Sequence, residues 1–256
     1  MKKILFFDVD GTLYNSRKEL PKSAKEALFK ARENGHEIAI ATGRAPFMIQ
    51  DLLEELEIDT YITFNGQYVV HKGEVIYTDQ IAKDELKKII AFGETQNHPF
   101  VFLNEKEMIA SKDKYLSIEE SLNTLHYPYP KIDANYYSQN PVYQTLLFAE
   151  QHEQELYEKQ FPNVQFIRWH QFSCDILPRE GSKSRGIQKL IEHLNVTMEN
   201  TVAFGDGLND VEMLGGVGIG VAMGNSHEKA KAAASIITKH VDEDGLAFAM
   251  KQLNLI

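Results

Sequence analysis

The chain has 256 residues, 43% of them hydrophobic, and 37 acidic against 27 basic side chains give a formal charge of −10. That is apolar content enough for one large core or two modest ones, while the charge opposes non-specific binding to nucleic acid or an anionic membrane surface. The one cysteine, Cys174, excludes an internal disulfide and any multi-cysteine metal site.

Cys174 lies in a strand-like segment and reads as a buried thiol, which fits a reducing compartment. Met1-Lys2-Lys3 is followed by only Ile4 to Phe7 before Asp8, far short of a secretion signal's apolar region. No apolar run approaches the roughly 20 residues of a membrane-spanning helix. The expectation is a soluble, cytoplasmic protein with no nucleic-acid, membrane or obligate protein partner.

From Met1 to about Asp79, short apolar runs alternate with amphipathic stretches, the pattern of βαβ units on a parallel sheet. Ile4 to Asp8 reads as a buried strand. Pro21 to Asn34 reads as a helix, because Ala24, Ala27, Leu28 and Ala31 share a face and Gly35 can close its end. Glu37 to Thr42 is a strand, Pro46 to Leu56 a helix, Tyr61 to Phe64 a strand, and Gln67 to Tyr77 a hairpin around His71-Lys72-Gly73-Glu74. The texture then changes: a helix from Asp84 to Thr95, strands near Phe100 and Met108, a helix near Tyr115 to Leu125, and a tyrosine-rich stretch with Pro128, Pro130 and Pro141. A strand from Tyr143 to Ala149, a helix from Gln151 to Gln160 and strands at Val164 to Trp169 and Phe172 to Leu177 follow. Alternation resumes with a helix (Ser182 to Leu194), a strand (Thr201 to Phe204), a helix (Asn209 to Leu214), a strand (Gly218 to Ala222) and a helix (Ser226 to Ala234). The reading is an α/β protein with a discontinuous core, residues 1–81 and 181–256, and an inserted α/β unit, 82–180.

Four segments carry candidate chemistry. Asp8-Val9-Asp10-Gly11-Thr12 puts two acids at the carboxyl end of a strand, where open α/β sheets bind ligands, and alternation lets both approach one site. On its own it also reads as a solvated Asp-Gly turn. Gly205-Asp206-Gly207-Leu208-Asn209-Asp210 likewise follows a short strand; acids brought beside Asp8 and Asp10 repel one another unless a hard cation sits among them, for which magnesium is the natural candidate. Its plainer reading is a turn and helix cap. Thr42-Gly43-Arg44 offers a hydroxyl and backbone amides suited to phosphate oxygens, though a lone Thr here is more often a cap. Gly181-Ser182-Lys183-Ser184 opens a helix, whose N-terminus would fix Lys183 near the same edge; a lysine in isolation is usually solvated.

In this order the four segments resemble the four motifs of the haloacid dehalogenase superfamily, and Phe64-Asn65-Gly66 and Val221-Ala222-Met223-Gly224-Asn225 resemble its Cof-type sugar-phosphate phosphatase branch. The resemblance spans essentially the whole chain, with the insertion where that branch carries a large α/β cap. Two departures are small: Ser184 stands where Gly is common after the lysine, and Ser226 where Ala is common after the asparagine.

The resemblance implies a Rossmann-like, doubly wound core and a Mg2+-dependent phosphatase acting on a small phosphorylated metabolite. Asp8 would be the nucleophile that becomes an aspartyl-phosphate, and Asp10 the acid and base. The metal would be held by the Asp8 carboxylate, the Asp10 backbone carbonyl and Asp206; Thr42, Gly43, Lys183 and Asn209 would bind substrate, with Asp210 orienting the metal shell or Lys183. The cap would select the substrate, with Tyr127, Tyr129, Tyr136, Tyr137, Arg168, Trp169 and His170 as possible contacts that ordinary packing also explains. His36, His71 and His98 read as surface or structural groups. A phosphomutase on the same fold and a non-catalytic phosphosugar-binding regulator are the alternatives.

Overall fold

The computed structural model describes residues 2–256. Its strands in chain order are β1 (Ile4–Phe7), β2 (Glu37–Ala41), β3 (Tyr61–Thr63), β4 (Tyr68–His71), β5 (Glu74–Thr78), β6 (Phe100–Leu103), β7 (Met108–Ala110), β8 (Lys131–Ile132), β9 (Gln144–Phe148), β10 (Val164–His170), β11 (Ser173–Pro178), β12 (Thr201–Gly205), β13 (Ile219–Ala222) and β14 (Ile236–Ile237). The helices are α1 (Lys22–Glu33), α2 (Gln50–Leu56), α3 (Lys83–Thr95), α4 (Leu116–Asn123), α5 (Tyr136–Gln139), α6 (Gln151–Gln160), α7 (Lys183–Leu194), α8 (Val211–Gly216), α9 (Glu228–Ala233) and α10 (Gly245–Gln252). The chain divides into two compact units, the first comprising Met1–Arg44, Met48–Thr78 and Ser182–Ile256, the second Ala45–Phe47 and Asp79–Gly181.

In the first unit the sheet order is β14-β13-β12-β1-β2-β3-β4-β5. β1 lies between β12 and β2, parallel to both, and is buried along its whole length. Burial on both faces explains its unbroken run Ile4-Leu5-Phe6-Phe7. Alternation then sorts the side chains. Leu5 and Phe7 join Ile38, Ile40, Val202 and Phe204 in a core packed by α1, α2 and α10; Ile4 and Phe6 join Ala39, Ala41 and Ala203 in a second core packed by α7, α8 and α9. Helices on both faces make the sheet doubly wound, as read from the sequence. Only the β3-β4-β5 edge is antiparallel. There Lys72 and Gly73, at φ 50° and 80°, make the expected tight turn.

The segment read as one helix from Pro46 is a 3-10 turn (Pro46–Met48) followed by α2. Ile49, at φ −120°, breaks the helix while its side chain enters the core at 2% exposure. In the second unit the sheet order is β10-β11-β9-β6-β7-β8, antiparallel except for the β7-β8 pair. Leu86, Ile89 and Ile90 of α3 and Tyr157 of α6 pack with Phe100, Phe102, Leu147, Cys174 and Ile176 on one face of that sheet.

Candidate active site

β1, β2 and β12 run parallel and in register, so the loops that follow Phe7, Ala41 and Gly205 leave the same sheet edge. Asp8 continues the ladder, its N–H donating to Phe204 O at 3.0 Å, and the residue is 6% exposed. Gly11, at φ +76°, turns the chain back; a Cβ there would lie 2.2 Å from Asp206 Oδ2, so only glycine lets the first loop rest against that acid. Thr12 Oγ1 donates to Asp206 Oδ1 at 2.9 Å. Asn225 Nδ2 donates to Gly11 O at 2.8 Å and lies 3.4 Å from Asp206 Oδ2, while its Oδ1 accepts from Val241 N at 3.0 Å.

Lys183 opens α7, behind the Ser182 cap, whose Oγ accepts from Arg185 N. The lysine is fully buried. Its Nζ donates to Asp8 Oδ1 at 2.6 Å and to Asp210 Oδ1 at 2.7 Å. Asp210 Oδ2 accepts from Asp206 N and Gly207 N, each at 2.8 Å, so both its oxygens are spoken for inside the protein. One oxygen from each of Asp8, Asp206 and Asp210 lies within 4.8 Å of the others. One ammonium therefore faces three carboxylates. Burial, less the opposing pull of Lys183 and with a push from Asp210 and Asp206, raises the Asp8 pKa well above its ordinary value. Burial and the neighbouring Asp210 push Asp206 up to about 6. Lys183 is fixed as a cation, since the two carboxylates outweigh its burial. The uncompensated charge is all on hard oxygen donors, which fits a divalent cation with oxygen ligands.

Asp10 behaves differently. Arg44 grips it with two bonds, Nε to Oδ2 at 2.7 Å and Nη2 to Oδ1 at 2.8 Å, and Lys18 Nζ adds a third at 2.6 Å. Burial works to raise its pKa, yet these cations together bring it down to about 2. Thr42 is 2% exposed, and its Oγ1 accepts from Arg44 N at 3.2 Å, leaving the hydroxyl proton to donate elsewhere. Asn209 Nδ2 donates to Asn65 Oδ1 at 2.9 Å, and Gly43 packs against the same Asn65 side chain.

The four sequence segments thus meet at one edge. Sequence reasoning gave no role to Thr12, Lys18, Arg44, Asn65 or Asn225, which tie the loops together. Arg44 and Asn65 stood inside segments already singled out, and an arginine two residues past a strand end was the available signal. Of the aromatic and basic residues suggested for substrate contact, Arg168 spends its guanidinium on Gln154 Oε1 and the carbonyls of Ala149, His170 and Gln171. Tyr129 donates to Lys112 O, Tyr136 to Glu107 Oε1, and His170 Nδ1 bonds Ser121 Oγ. His36 accepts from Lys3 N, and His98 bridges Tyr157 and Glu153, as structural groups do. Cys174 is buried, which drives its thiol pKa up to about 12 and leaves it inert. No helix among the described residues is long and apolar enough to cross a membrane.

A family model described as haloacid dehalogenase-like hydrolase matches residues 5–250. The Bacillus subtilis protein named "Putative phosphatase YkrA" is 40% identical over 99% of this chain and 98% of its own. A crystal structure of a hypothetical protein from Geobacillus kaustophilus HTA426 superposes with a TM-score of 0.95 at 43% identity, covering all of both chains. The structure of the HAD subclass IIB sugar phosphatase BT4131 gives 0.89 at 35% identity, again over both whole chains. The chain is a hydrolase and belongs to the haloacid dehalogenase-like hydrolase family.

Proposed function

We propose that the chain is a magnesium-dependent phosphatase that hydrolyses small phosphomonoesters, sugar phosphates or similar metabolites, through an aspartyl-phosphate on Asp8. The observation that carries this reading is the buried Lys183, held between Asp8 and Asp210 beside Asp206. Lys183 occupies Asp8 Oδ1 and leaves the other carboxylate oxygen to attack phosphorus, while the P–O bond to the leaving group breaks. Asp10 supplies a proton to that oxygen; it then takes one from the water that attacks phosphorus, and the Asp8–phosphorus bond breaks to release phosphate.

Arg44 and Lys18 hold Asp10 in the basic form required for the second step. For the first, the incoming phosphate dianion competes for both cations and raises Asp10's proton affinity by like-charge repulsion. Asp8, Asp206 and the Asp10 carbonyl, which receives no hydrogen bond among the described residues, are the ligands proposed for Mg2+. When bound, Mg2+ supplies the positive charge that lets an anionic nucleophile approach a phosphate dianion. Asp210, with both oxygens engaged, orients Lys183 and the Asp206–Gly207 turn. Thr42, Gly43 and Asn209 are assigned to the phosphoryl oxygens.

The insertion, residues 82–180, is assigned to substrate selection as a cap. BT4131 is a sugar phosphatase, which supports a phosphorylated carbohydrate among the substrates. The single, buried thiol supports a reducing compartment such as the cytoplasm. The test uses an aryl phosphate, whose leaving group needs little protonation. After rapid quenching, Asp10→Asn carries one added phosphoryl group by intact mass and Asp8→Asn carries none; a label on a serine or histidine sinks the mechanism. Release of free phosphate without a bisphosphorylated activator separates hydrolysis from a mutase.

A further inference from the structure

Three consecutive residues after β3 adopt left-handed backbone: Phe64 at φ 51°, Asn65 at φ 52° and Gly66 at φ 100°. Asparagine tolerates that region and glycine is indifferent to it, but a bulky aromatic there is an outlier. Such conformations persist only where surrounding structure over-determines them, and they cluster at functional sites. Here the surroundings are three of the loops that build the site. Phe64 N donates to Arg44 O and Asn65 N to Thr42 O, each at 3.1 Å. A Cβ on Gly66 would fall 2.0 Å from Ser182 O, so the run also rests against the residue that caps α7 ahead of Lys183. Asn65 Oδ1 takes the bond from Asn209 described above.

The strained run aims one side chain. Asn65 is 2% exposed, and a Cβ on Gly43 would sit 3.0 Å from its Nδ2, placing the carboxamide on the Thr42–Gly43 turn. With Oδ1 fixed by Asn209, the NH2 end carries two donors that no acceptor among the described residues takes. The NH2 end is not itself sealed from solvent, which leaves its donors open to a ligand at the turn.

We propose that Asn65 is a further phosphate-binding residue: its Nδ2 donates to a phosphoryl oxygen beside the Thr42–Gly43 turn. The assignment rests on the phosphatase reading above. If Asn65 were only a strut between Asn209 and Thr42, a side chain that keeps the acceptor for Asn209 would serve as well.

Two variants decide. Asn65→Gly keeps the left-handed backbone and removes the donor; Asn65→Asp keeps volume and the Asn209 bond but turns the donor into an anion facing phosphate. The readout is inhibition of aryl phosphate hydrolysis by inorganic phosphate, with melting temperature and Mg2+ half-saturation alongside. In Asn65→Gly the phosphate inhibition constant rises about ten- to a hundredfold, as expected for one bond to a charged oxygen, and in Asn65→Asp it rises further. Melting temperature and Mg2+ half-saturation stay at wild type. A phosphate inhibition constant in Asn65→Asp equal to wild type overturns the assignment, and that isosteric variant decides alone should Asn65→Gly fail to fold. Wild-type protein that hydrolyses no aryl phosphate sinks the parent reading instead. Calorimetric binding of inorganic phosphate to wild type and Asn65→Asp then judges Asn65 separately: weaker binding upholds it and equal binding overturns it.

Discussion

Asp175 lies in the middle of β11, flanked in register by Ile167 on β10 and Leu146 on β9, and is 8% exposed. Burial pushes its pKa up to about 8; Trp169 Nε1 lies near enough to temper the shift yet makes no hydrogen bond of good geometry. In the unfolded chain this carboxyl ionises near pH 4, while in the fold it stays neutral until about pH 8. Its contribution is fully present below the unfolded value and is lost as pH rises through the folded one, a difference on the order of several kcal/mol. Asp175→Asn, neutral at every pH, should match wild type near pH 4 and exceed it increasingly up to about pH 8. Trp169, the one tryptophan, sits on β10 and reports the melting of this unit. A melting-temperature difference that stays constant with pH defeats the prediction. No sequence pattern announces this acid, because its neighbours come from two other strands. Asp8, Asp10, Lys183 and Asp206 were legible only as a set: each follows an apolar run or opens a helix, yet each segment alone also reads as a turn, a cap or a solvated lysine. It was their order, with the family resemblance it carries, that singled them out. The amides of Asn65 and Asn225 act across loops, and nothing in a single segment reveals that.

α7 carries Lys183 into the site, and its seat on the sheet depends on a missing side chain. Gly186 lies in the first turns of this helix, where alanine is intrinsically better by about 1 kcal/mol. A Cβ there, however, would meet Ile62 Cγ2 at 2.5 Å and Gly66 Cα at 2.9 Å. The first contact can yield by side-chain motion, but the second is backbone held by the strained run at 64–66, so the helix itself must lift. Gly186→Ala should therefore lower the melting temperature despite its higher helix propensity, and should lower kcat more than KM, because Lys183 Nζ leaves its 2.6 Å contact with Asp8. A variant more stable than wild type with full kcat would show that propensity wins. The helix itself was readable, with Ser182 at its cap and Ile187, Leu190 and Ile191 on one face. α10 and β14 escaped notice. Asp244, just ahead of α10, is itself left-handed at φ 55° and makes no side-chain cap, and β14 is two residues long, so neither start carries the usual local signal.

For the whole molecule, the acidic site should appear as a link between stability, pH and divalent cation. The chain carries a net charge of −10, and its buried acids add repulsion that Lys183 alone does not cancel. Without a divalent cation Asp8 and Asp206 have raised pKa values, Asp206 near 6, against an unfolded value near 4. The sign follows: the Asp206 contribution is complete below about pH 4 and is lost as pH rises through about 6, and the raised Asp8 pKa acts in the same direction. A bound cation holds the carboxylates ionised and removes that loss, besides stabilising by mass action, about 2.7 kcal/mol at a hundredfold excess over its dissociation constant. Saturating Mg2+ should therefore raise the melting temperature of the first unit more at about pH 8 than at about pH 5, where protons compete for the same oxygens. Scanning calorimetry can follow the first unit apart from the second, provided the transitions are resolved, since two units need not melt together. Asp206→Asn should abolish most of the Mg2+ shift and make the metal-free protein less sensitive to alkaline pH, because one of the crowded charges is gone. Equal Mg2+ shifts at the two pH values, or a shift that survives Asp206→Asn unchanged, would place the cation somewhere other than between β1 and β12.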